Sequence, residues 1–293
     1  MIIDCISDYK TILNQNPKTN PLKEMFLSDS IDKFKITKHR DGNYPAIITI
    51  SGWRSQDKDN RKDWEKSILR LYPDREWFHL EWNSNKLPIF DNGPKPNSPD
   101  MPKMPSTDTE TKKVDNKFIK RLLRITTVIV ASVVPVAPVV SVVFNSNNLL
   151  NNYWHRAVRN ANETGNCLAK VLNACEKKDF ILVGHSLGAR VIFNCLSYLN
   201  QNTLYSNIIE IHLLGGAVGS NPKKWSKISL LVKNNIYNYF SDNDSVLKNA
   251  YRISMLSTQP IGLGEIVNKK VININSTRLI KRHIDYIPNF HLL

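Results

Sequence analysis

One short motif in this chain has the residue types and spacing that nucleophilic catalysis requires. Residues 184–188 read Gly-His-Ser-Leu-Gly, which matches the pattern G-x-S-x-G. An apolar run precedes the motif, and a segment with helical periodicity follows it. In a nucleophile elbow the serine lies on a tight strand-to-helix turn, and the residues two before and two after it must be small. The motif therefore predicts Ser186 as a nucleophile, with Gly184, His185 and Gly188 completing the elbow.

A serine nucleophile needs a general base, and the base needs an acid that orients it. On the α/β-hydrolase fold the acid follows the serine in the chain and the histidine comes last. A predicted strand ends at Phe240, and two carboxylates, Asp242 and Asp244, follow it. Asp244 is the preferred acid, because the residues after it open the next predicted helix in an Asp-x-Val pattern. Asp242 is the alternative acid, although its side chain could instead cap the turn or the helix.

Only two of the seven histidines, His283 and His291, follow the candidate acid. His283 lies in a segment expected to be a loop after the strand VININ, where a triad base belongs, and it is the predicted base. His291 is close to the C-terminus and is expected to fray. The other five do not fit the base: His39, His79 and His155 precede the serine in the chain, the side chain of His185 is expected to point away from the nucleophile, and His212 lies in a predicted buried strand.

Acyl transfer also needs N–H donors for the negative charge that develops on the carbonyl oxygen. The backbone N–H of Leu187, the residue after the nucleophile, is the first predicted donor of this oxyanion hole. The second is expected after the early strand AIITI, from Gly52 or Trp53. This chemistry requires neither a metal nor a cofactor. The glycine-rich run 215–219 lacks the spacing of a dinucleotide-binding loop.

Strand-like and helix-like segments alternate along much of the chain, and the strand-like segments are apolar. This alternation predicts an α/β fold with a mostly parallel central sheet and helices on both faces. Together with the elbow, the pattern predicts the α/β-hydrolase fold. Near the N-terminus, strand-like residues 34–36 and 46–50 flank the turn Asp41-Gly42-Asn43 and are expected to form a hairpin.

Changes in composition divide the chain into four parts. Residues 1–90 are predicted to be the N-terminal part of the hydrolase domain. Residues 91–117 are rich in Pro, Ser, Asn and Lys and are predicted to be a flexible linker or insertion. Residues 118–146 are first basic and then apolar, and they are predicted to interact with a membrane. Residues 147–293 are the remainder of the domain, with the elbow.

The apolar segment 125–144 contains no charged residue and is long enough to span a bilayer. Pro135 and Pro138 would break a straight helix, so a membrane-dipping hairpin or two short helices are favoured over one span. A buried core segment is the alternative. The basic stretch before it and the formal net charge of +14 both favour an anionic surface. The N-terminus has no pattern of a Sec signal peptide, so a membrane-associated protein is expected in the cytoplasm or exported by a signal-independent route.

Several segments occur in a specific order: ISGW, VGHSLGARVIFNCL, IHLLGGAV, YNYFSDNDSVL, YRISMLSTQPIGLGEI and RHIDY. This ordered set resembles a lipase-like α/β-hydrolase family that includes the transmembrane and coiled-coil domain-containing protein 4 group, long labelled a domain of unknown function. The resemblance covers residues 45–287. It implies a hydrolase fold with membrane association, and it maps nucleophile, acid and base onto Ser186, Asp244 and His283.

Taken together, these features predict a serine ester hydrolase that cleaves lipids, a lipase or phospholipase, at a membrane surface. Such an enzyme could serve as a bacterial toxin or effector, and an inhibitory or delivery protein could accompany it. Two alternatives use the same scaffold: a carboxylesterase or thioesterase with a non-lipid substrate, and a membrane-associated adaptor without catalysis. Nucleic-acid binding is disfavoured, because the chain has no recognised binding module and no interleaving of arginine with aromatic residues.

Overall fold

The computed structural model describes residues 9–14, 33–53, 60–84, 146–175, 177–248 and 259–293. The chain divides into two compact units, one of Met1–Lys86 with Leu150–Leu293 and one of Leu87–Leu149. The sheet and the candidate site belong to the first unit. The predicted linker 91–117 and the predicted apolar segment 125–144 lie outside the described residues, so both stay predictions.

A seven-stranded sheet forms the centre of the first unit. The strands are β1 Lys35–Arg40, β2 Asn43–Ile50, β3 Arg75–Glu81, β4 Phe180–His185, β5 Ile208–Leu214, β6 Ile236–Phe240 and β7 Val271–Asn275. Their order across the sheet is β1-β3-β2-β4-β5-β6-β7. Only β1 pairs antiparallel with its neighbour, and the other strands pair parallel. The expectation of a mostly parallel sheet is therefore confirmed.

The expected hairpin between β1 and β2 is wrong, because β3 lies between these two strands. Residues Ala46–Ile50 of β2 are buried throughout, and such a strand needs hydrogen-bonding partners on both edges. β3 and β4 supply those partners in parallel register. β1 contains no fully buried position and fits the edge of the sheet, where one side can face water.

Six α-helices have both ends within the described residues: α1 Tyr9–Asn14, α2 Asn60–Leu71, α3 Ser146–Ala174, α4 Leu187–Gln201, α5 Pro222–Ile228 and α6 Tyr286–Asn289. Residues 245–248 are also helical. Short 3₁₀ turns follow at Ser229–Leu231, Ile261–Leu263, His283–Asp285 and Phe290–Leu292. Helix α5 was not predicted from the sequence, although its signal is present there. The Asn221 side chain accepts a hydrogen bond from Lys224 N–H, and Pro222 opens the helix, which is a good N-terminal pattern.

Helices pack on both faces of the sheet, as the apolar strands predict. Ile48 and Leu182 lie in one core with residues of α3 and α4. Ile47 and Ile181, one position along each strand, lie in a second core with residues of α2 and the C-terminal segment. Neighbouring residues of a strand point to opposite faces, so two separate cores form. Within the described ranges, no helix combines the length and apolar composition needed to cross a bilayer.

Candidate active site

Ser186 lies on the turn between β4 and α4 with a strained backbone. Its φ is 57° and its ψ is −118°, a region that residues other than glycine rarely adopt. Such a conformation costs about 1–3 kcal/mol and is retained where the surrounding structure enforces it. The Ser186 hydroxyl makes no capping hydrogen bond with α4. The side chain is therefore held on a rigid turn without a structural role in the helix.

Two glycines allow the strand and the helix to approach closely around this turn. A Cβ atom on Gly188 would collide with the carbonyl oxygen of Ile50 in β2. A Cβ atom on Gly184 would lie 2.7 Å from the carbonyl group of Gly188. In both cases the obstacle is backbone, which cannot turn aside as a flexible side chain could. The spacing of the motif thus has a steric cause in this fold.

His283 and Asp244 form a close, buried pair. The Nδ1 atom of His283 lies 2.6 Å from Oδ2 of Asp244, and the Asp244 side chain has no exposed surface. The other carboxylate oxygen of Asp244 accepts a hydrogen bond from Leu247 N–H at 3.0 Å. A buried carboxylate with both oxygens occupied orients the ring and leaves the opposite nitrogen, Nε2, for the reaction.

Hydrogen bonds join the loop after β6, which carries Asp244, to the segment after β7, which carries His283. Ser241 Oγ donates to the carbonyl of Ile280 at 3.0 Å, and Asn243 Nδ2 donates to the carbonyl of Thr277 at 2.9 Å. Asp242, the alternative acid, lies in the same loop but is exposed. Its backbone N–H donates to the Thr277 hydroxyl. The structure therefore brings Asp244 to the histidine and leaves Asp242 at the surface.

His185 contacts the candidate base, His283, a contact that was not predicted from the sequence. The ring centroids of His185 and His283 are 4.7 Å apart, and His185 Nε2 lies 2.9 Å from the His283 carbonyl oxygen. A carbonyl only accepts, so Nε2 of His185 carries the hydrogen. Burial, aided by the charge of His283, lowers the pKa of His185 to about 3. His185 is thus a neutral donor that holds the backbone of His283.

The loop after β2 passes directly beside the nucleophile. A Cβ atom on Gly52 would lie 2.6 Å from Cβ of Ser186. Two indoles hold the preceding residue: Trp64 Nε1 donates to Ser51 Oγ, and Trp82 Nε1 donates to the Ser51 carbonyl, each at 3.0 Å. Because a trans peptide is planar, fixing this carbonyl also fixes the N–H of the next residue. The orientation of one predicted oxyanion donor is therefore determined by a tryptophan.

The other two predicted donors of the oxyanion hole lie nearby. Leu187 is the first residue of α4, where a backbone N–H has no partner within the helix. Trp53 follows Gly52, and its half-buried ring packs edge-on against Trp154 with centroids 5.7 Å apart. These positions are compatible with the predicted donor role, which stays a prediction.

The glycine-rich run 215–219 supports the elbow from the side of β5. Ala217 N–H donates to the carbonyl of Ser186 at 3.0 Å. Gly215 has a φ of 51°, and a Cβ atom there would lie 2.5 Å from the ring of Tyr286. Tyr286 packs in turn near His185, at 6.0 Å between ring centroids. The run therefore lets the chain pass close to the elbow and to the ring of Tyr286.

The remaining histidines have other surroundings. Their positions are as follows: His39 beside Trp77, His79 buried against Thr49, His155 exposed on α3, His212 bonded to Glu210, and His291 beside the hydroxyl of Ser67. His291 lies in a 3₁₀ turn and is not frayed. Within the ranges that the structure describes, no group of three or more His, Cys, Asp or Glu side chains could hold a metal ion.

The mostly parallel sheet, the strained serine after a central strand and the later buried Asp–His pair define the class of the α/β hydrolases. Residues 21–292 match the family described as "Protein of unknown function (DUF726)". The chain belongs to this family. The narrower resemblance to the transmembrane and coiled-coil domain-containing protein 4 group stays a proposal.

Several curated proteins are similar over about half of this chain. An uncharacterized membrane protein of Caenorhabditis elegans is 38% identical over 144 residues, 47% of this chain and 23% of that protein. The rice "Transmembrane and coiled-coil domain-containing protein STS1" is 31% identical over 46% of this chain and 21% of its own length. The yeast "Probable lipase MIL1" is 30% identical over 47% of this chain and 13% of its own length. The chain thus spans less than a quarter of each of these relatives.

Among solved structures, a predicted hydrolase from Thermoplasma acidophilum has a TM-score of 0.36 and 12% identity, covering 87% of this chain and 92% of its own. The type II thioesterase YbtT of yersiniabactin biosynthesis has a TM-score of 0.37 and 11% identity, covering 88% and 94%. Similarity this low supports no conclusion about activity, so the assignment of class depends on the geometry above.

Proposed function

We propose that this protein is a serine hydrolase that cleaves acyl esters of lipids at a membrane surface. The observation that carries the proposal is the buried Asp244–His283 pair, 2.6 Å apart, in a structure that also strains Ser186 at the end of a central strand. Nucleophile, acid and base follow one another in the chain order of this class. A structural role alone would not require a strained serine whose hydroxyl caps nothing.

The reaction follows from these positions. Nε2 of His283 accepts the Ser186 proton as the hydroxyl oxygen attacks the ester carbonyl, and Asp244 stabilises the resulting imidazolium. The negative oxygen of the intermediate accepts hydrogen bonds from Leu187 N–H and from an N–H of the loop after β2. The imidazolium then protonates the leaving alcohol. Water, activated by the same histidine, releases the carboxylic acid and restores the serine.

Three observations favour a lipid as the substrate. The formal net charge of +14 favours an anionic surface. Relatives from C. elegans and fission yeast are named membrane proteins, and one from budding yeast is named a probable lipase. The uncharged segment 125–144 is long and apolar. A carboxylesterase or thioesterase is the nearest alternative, and the role as a bacterial toxin or effector stays a hypothesis.

The first test measures fatty acid released from mixed anionic phospholipid vesicles, with products identified by mass spectrometry. We expect release by the wild type and none by Ser186→Ala. Ser186→Gly is a second inactive variant, and glycine relieves the positive φ, so we expect it to be about 1 kcal/mol more stable to urea than Ser186→Ala. If the wild type binds the vesicles but releases no fatty acid, the lipase proposal fails and the function as a membrane-associated adaptor is favoured.

A further inference from the structure

We propose that α5 and the loop before β7 form a docking surface for an anionic lipid bilayer. This surface, called the basic-apolar surface below, consists of Lys223, Lys224, Lys227, Leu230, Val267 and Lys269. The inference deepens the proposed function, since it names the part of the fold that would hold the hydrolase at a membrane. Vesicle binding can be measured without hydrolysis, so the two proposals can fail separately.

Two of the residues of this surface are highly exposed apolar side chains. Leu230 and Val267 are each 75% exposed, more than any other large apolar residue in the described part of the chain. Their neighbours in the chain are hydrogen-bonded to each other: Asn268 Nδ2 donates to Ser229 Oγ at 3.1 Å. Large apolar side chains scattered singly over a surface need no explanation, but adjacent ones often mark an interaction site.

The geometry of α5 places lysines in line with Leu230. Trp225 and Ile228 are the buried residues of this helix and define its inner side. Lys223 and Lys227 are four residues apart and lie on the opposite side. The helix continues directly into the 3₁₀ turn Ser229–Leu231, so Leu230 follows Lys227 on the same outer stripe.

The charged residues of α5 and of the segments beside it in the chain are all basic. Residues 211–241 contain no aspartate or glutamate. Within the described ranges, none of the four lysines of the surface forms an ion pair, whereas Lys233 nearby pairs with Asp179 at 2.7 Å and Lys270 donates to a backbone carbonyl at 2.6 Å. Glu265, an exposed acid, lies two residues before Val267 in the loop before β7. The free lysines are therefore available to an anionic partner.

An anionic bilayer matches this combination better than a protein or a nucleic acid does. Lysines can bind negative head groups while the two apolar side chains enter the interface between head groups and acyl chains. The start of α5 lies close in the chain to the candidate site. Ala217, which bonds to the carbonyl of Ser186, is separated from the first residue of α5 only by residues 218–221. Leu230 and Val267 lie near the amino ends of the strands, at the opposite edge of the sheet from Ser186.

The test uses the full chain and two kinds of vesicle, neutral phosphatidylcholine alone and phosphatidylcholine with about 30% phosphatidylglycerol. We expect the double variant Leu230→Ser/Val267→Ser to bind the anionic vesicles about 10-fold more weakly than the wild type. We expect Lys223→Gln/Lys227→Gln to weaken binding and to reduce its dependence on salt. Hydrolysis of a soluble short-chain ester should not change in either variant.

Helix α2 offers a matched control, because Lys62, Lys66 and Leu69 have the same spacing but lie among the acids Asp63 and Glu65. Lys62→Gln/Lys66→Gln and Leu69→Ser should bind vesicles like the wild type. The inference is overturned if the variants of the basic-apolar surface also bind like the wild type, or if the wild type does not bind anionic vesicles. If binding falls as expected but neither the wild type nor any variant cleaves an ester, the docking surface is supported and the hydrolase proposal is contradicted.

Discussion

At the scale of single residues, the candidate site depends on groups that hold the triad as much as on the triad. Asp244 is buried with both carboxylate oxygens engaged, so it can orient His283 without a contribution from solvent. His185 also contacts His283, because its Nε2 donates to the backbone carbonyl of that residue. The predicted nucleophile and the predicted base are therefore connected by the residue that directly precedes Ser186.

This connection predicts that His185 is a positioning residue. His185→Leu removes the donor, and we expect kcat to fall about 10-fold with little change in KM, because small displacements of a base are costly. His185→Gln keeps an N–H donor and should restore part of the loss. Steady-state kinetics and the rate of Ser186 labelling by a fluorophosphonate would measure both effects. Equal losses in the two variants, or a change in thermal stability alone, would contradict this role.

At the scale of the elements, the loop after β2 depends on its neighbours for its conformation. β2 ends at Ile50, and the next residue is bonded to an indole from α2 and to an indole just beyond β3. Three separate parts of the chain thus meet at the predicted oxyanion hole. Its precision should therefore be sensitive to substitutions that do not contact the substrate.

The bond between Trp82 and the Ser51 carbonyl gives a specific prediction. Trp82→Phe keeps an aromatic ring but removes the N–H, which frees the peptide that carries a predicted oxyanion donor. We expect kcat to fall about 10-fold and the labelling of Ser186 to slow in parallel. Trp77→Phe is the matched control, since its indole donates to the Thr49 hydroxyl and not to this loop. A similar loss in both variants would point to general loosening of the fold.

At the scale of the whole molecule, two buried histidines predict sensitivity to acid. Burial lowers the pKa of His79 and of His185 to about 3 in the folded protein. Their unfolded pKa is near 6.5, so between these values the unfolded chain binds more protons than the folded one. The free energy of unfolding therefore falls as the pH drops below about 6.5, by up to about 1.4 kcal/mol per pH unit for each residue.

Urea denaturation at pH 7, 6 and 5 would measure this dependence. His79→Phe should flatten the loss of stability at low pH, because one titrating group is removed. The exposed His155 provides the control, and His155→Gln should leave the pH dependence unchanged. An unchanged slope in His79→Phe would show that this imidazole is not kept neutral by the fold.

The class of fold could be predicted from the sequence because its signals are local. Apolar strands, the glycines around Ser186 and the order of nucleophile, acid and base can be read within short windows. Even the missed helix α5 carried its own capping pattern at Asn221 and Pro222. Short-range sterics and capping determine such features, and they do not require knowledge of the partner strands.

The contacts that complete the site join distant parts of the chain, so only the tertiary structure decided them. His185 and His283 are 98 positions apart, Asp244 and His283 are 39 apart, and Trp82 and Ser51 are 31 apart. The preference for Asp244 over Asp242 was open in the sequence, because both carboxylates follow the same strand. The fold separates them by burying Asp244 against His283 and leaving Asp242 exposed to water. The sequence by itself determined a serine on a tight turn beside a parallel sheet. Only the tertiary structure decided that β3 lies between β1 and β2 and which residues surround the candidate triad, because both depend on which distant surfaces can pack together.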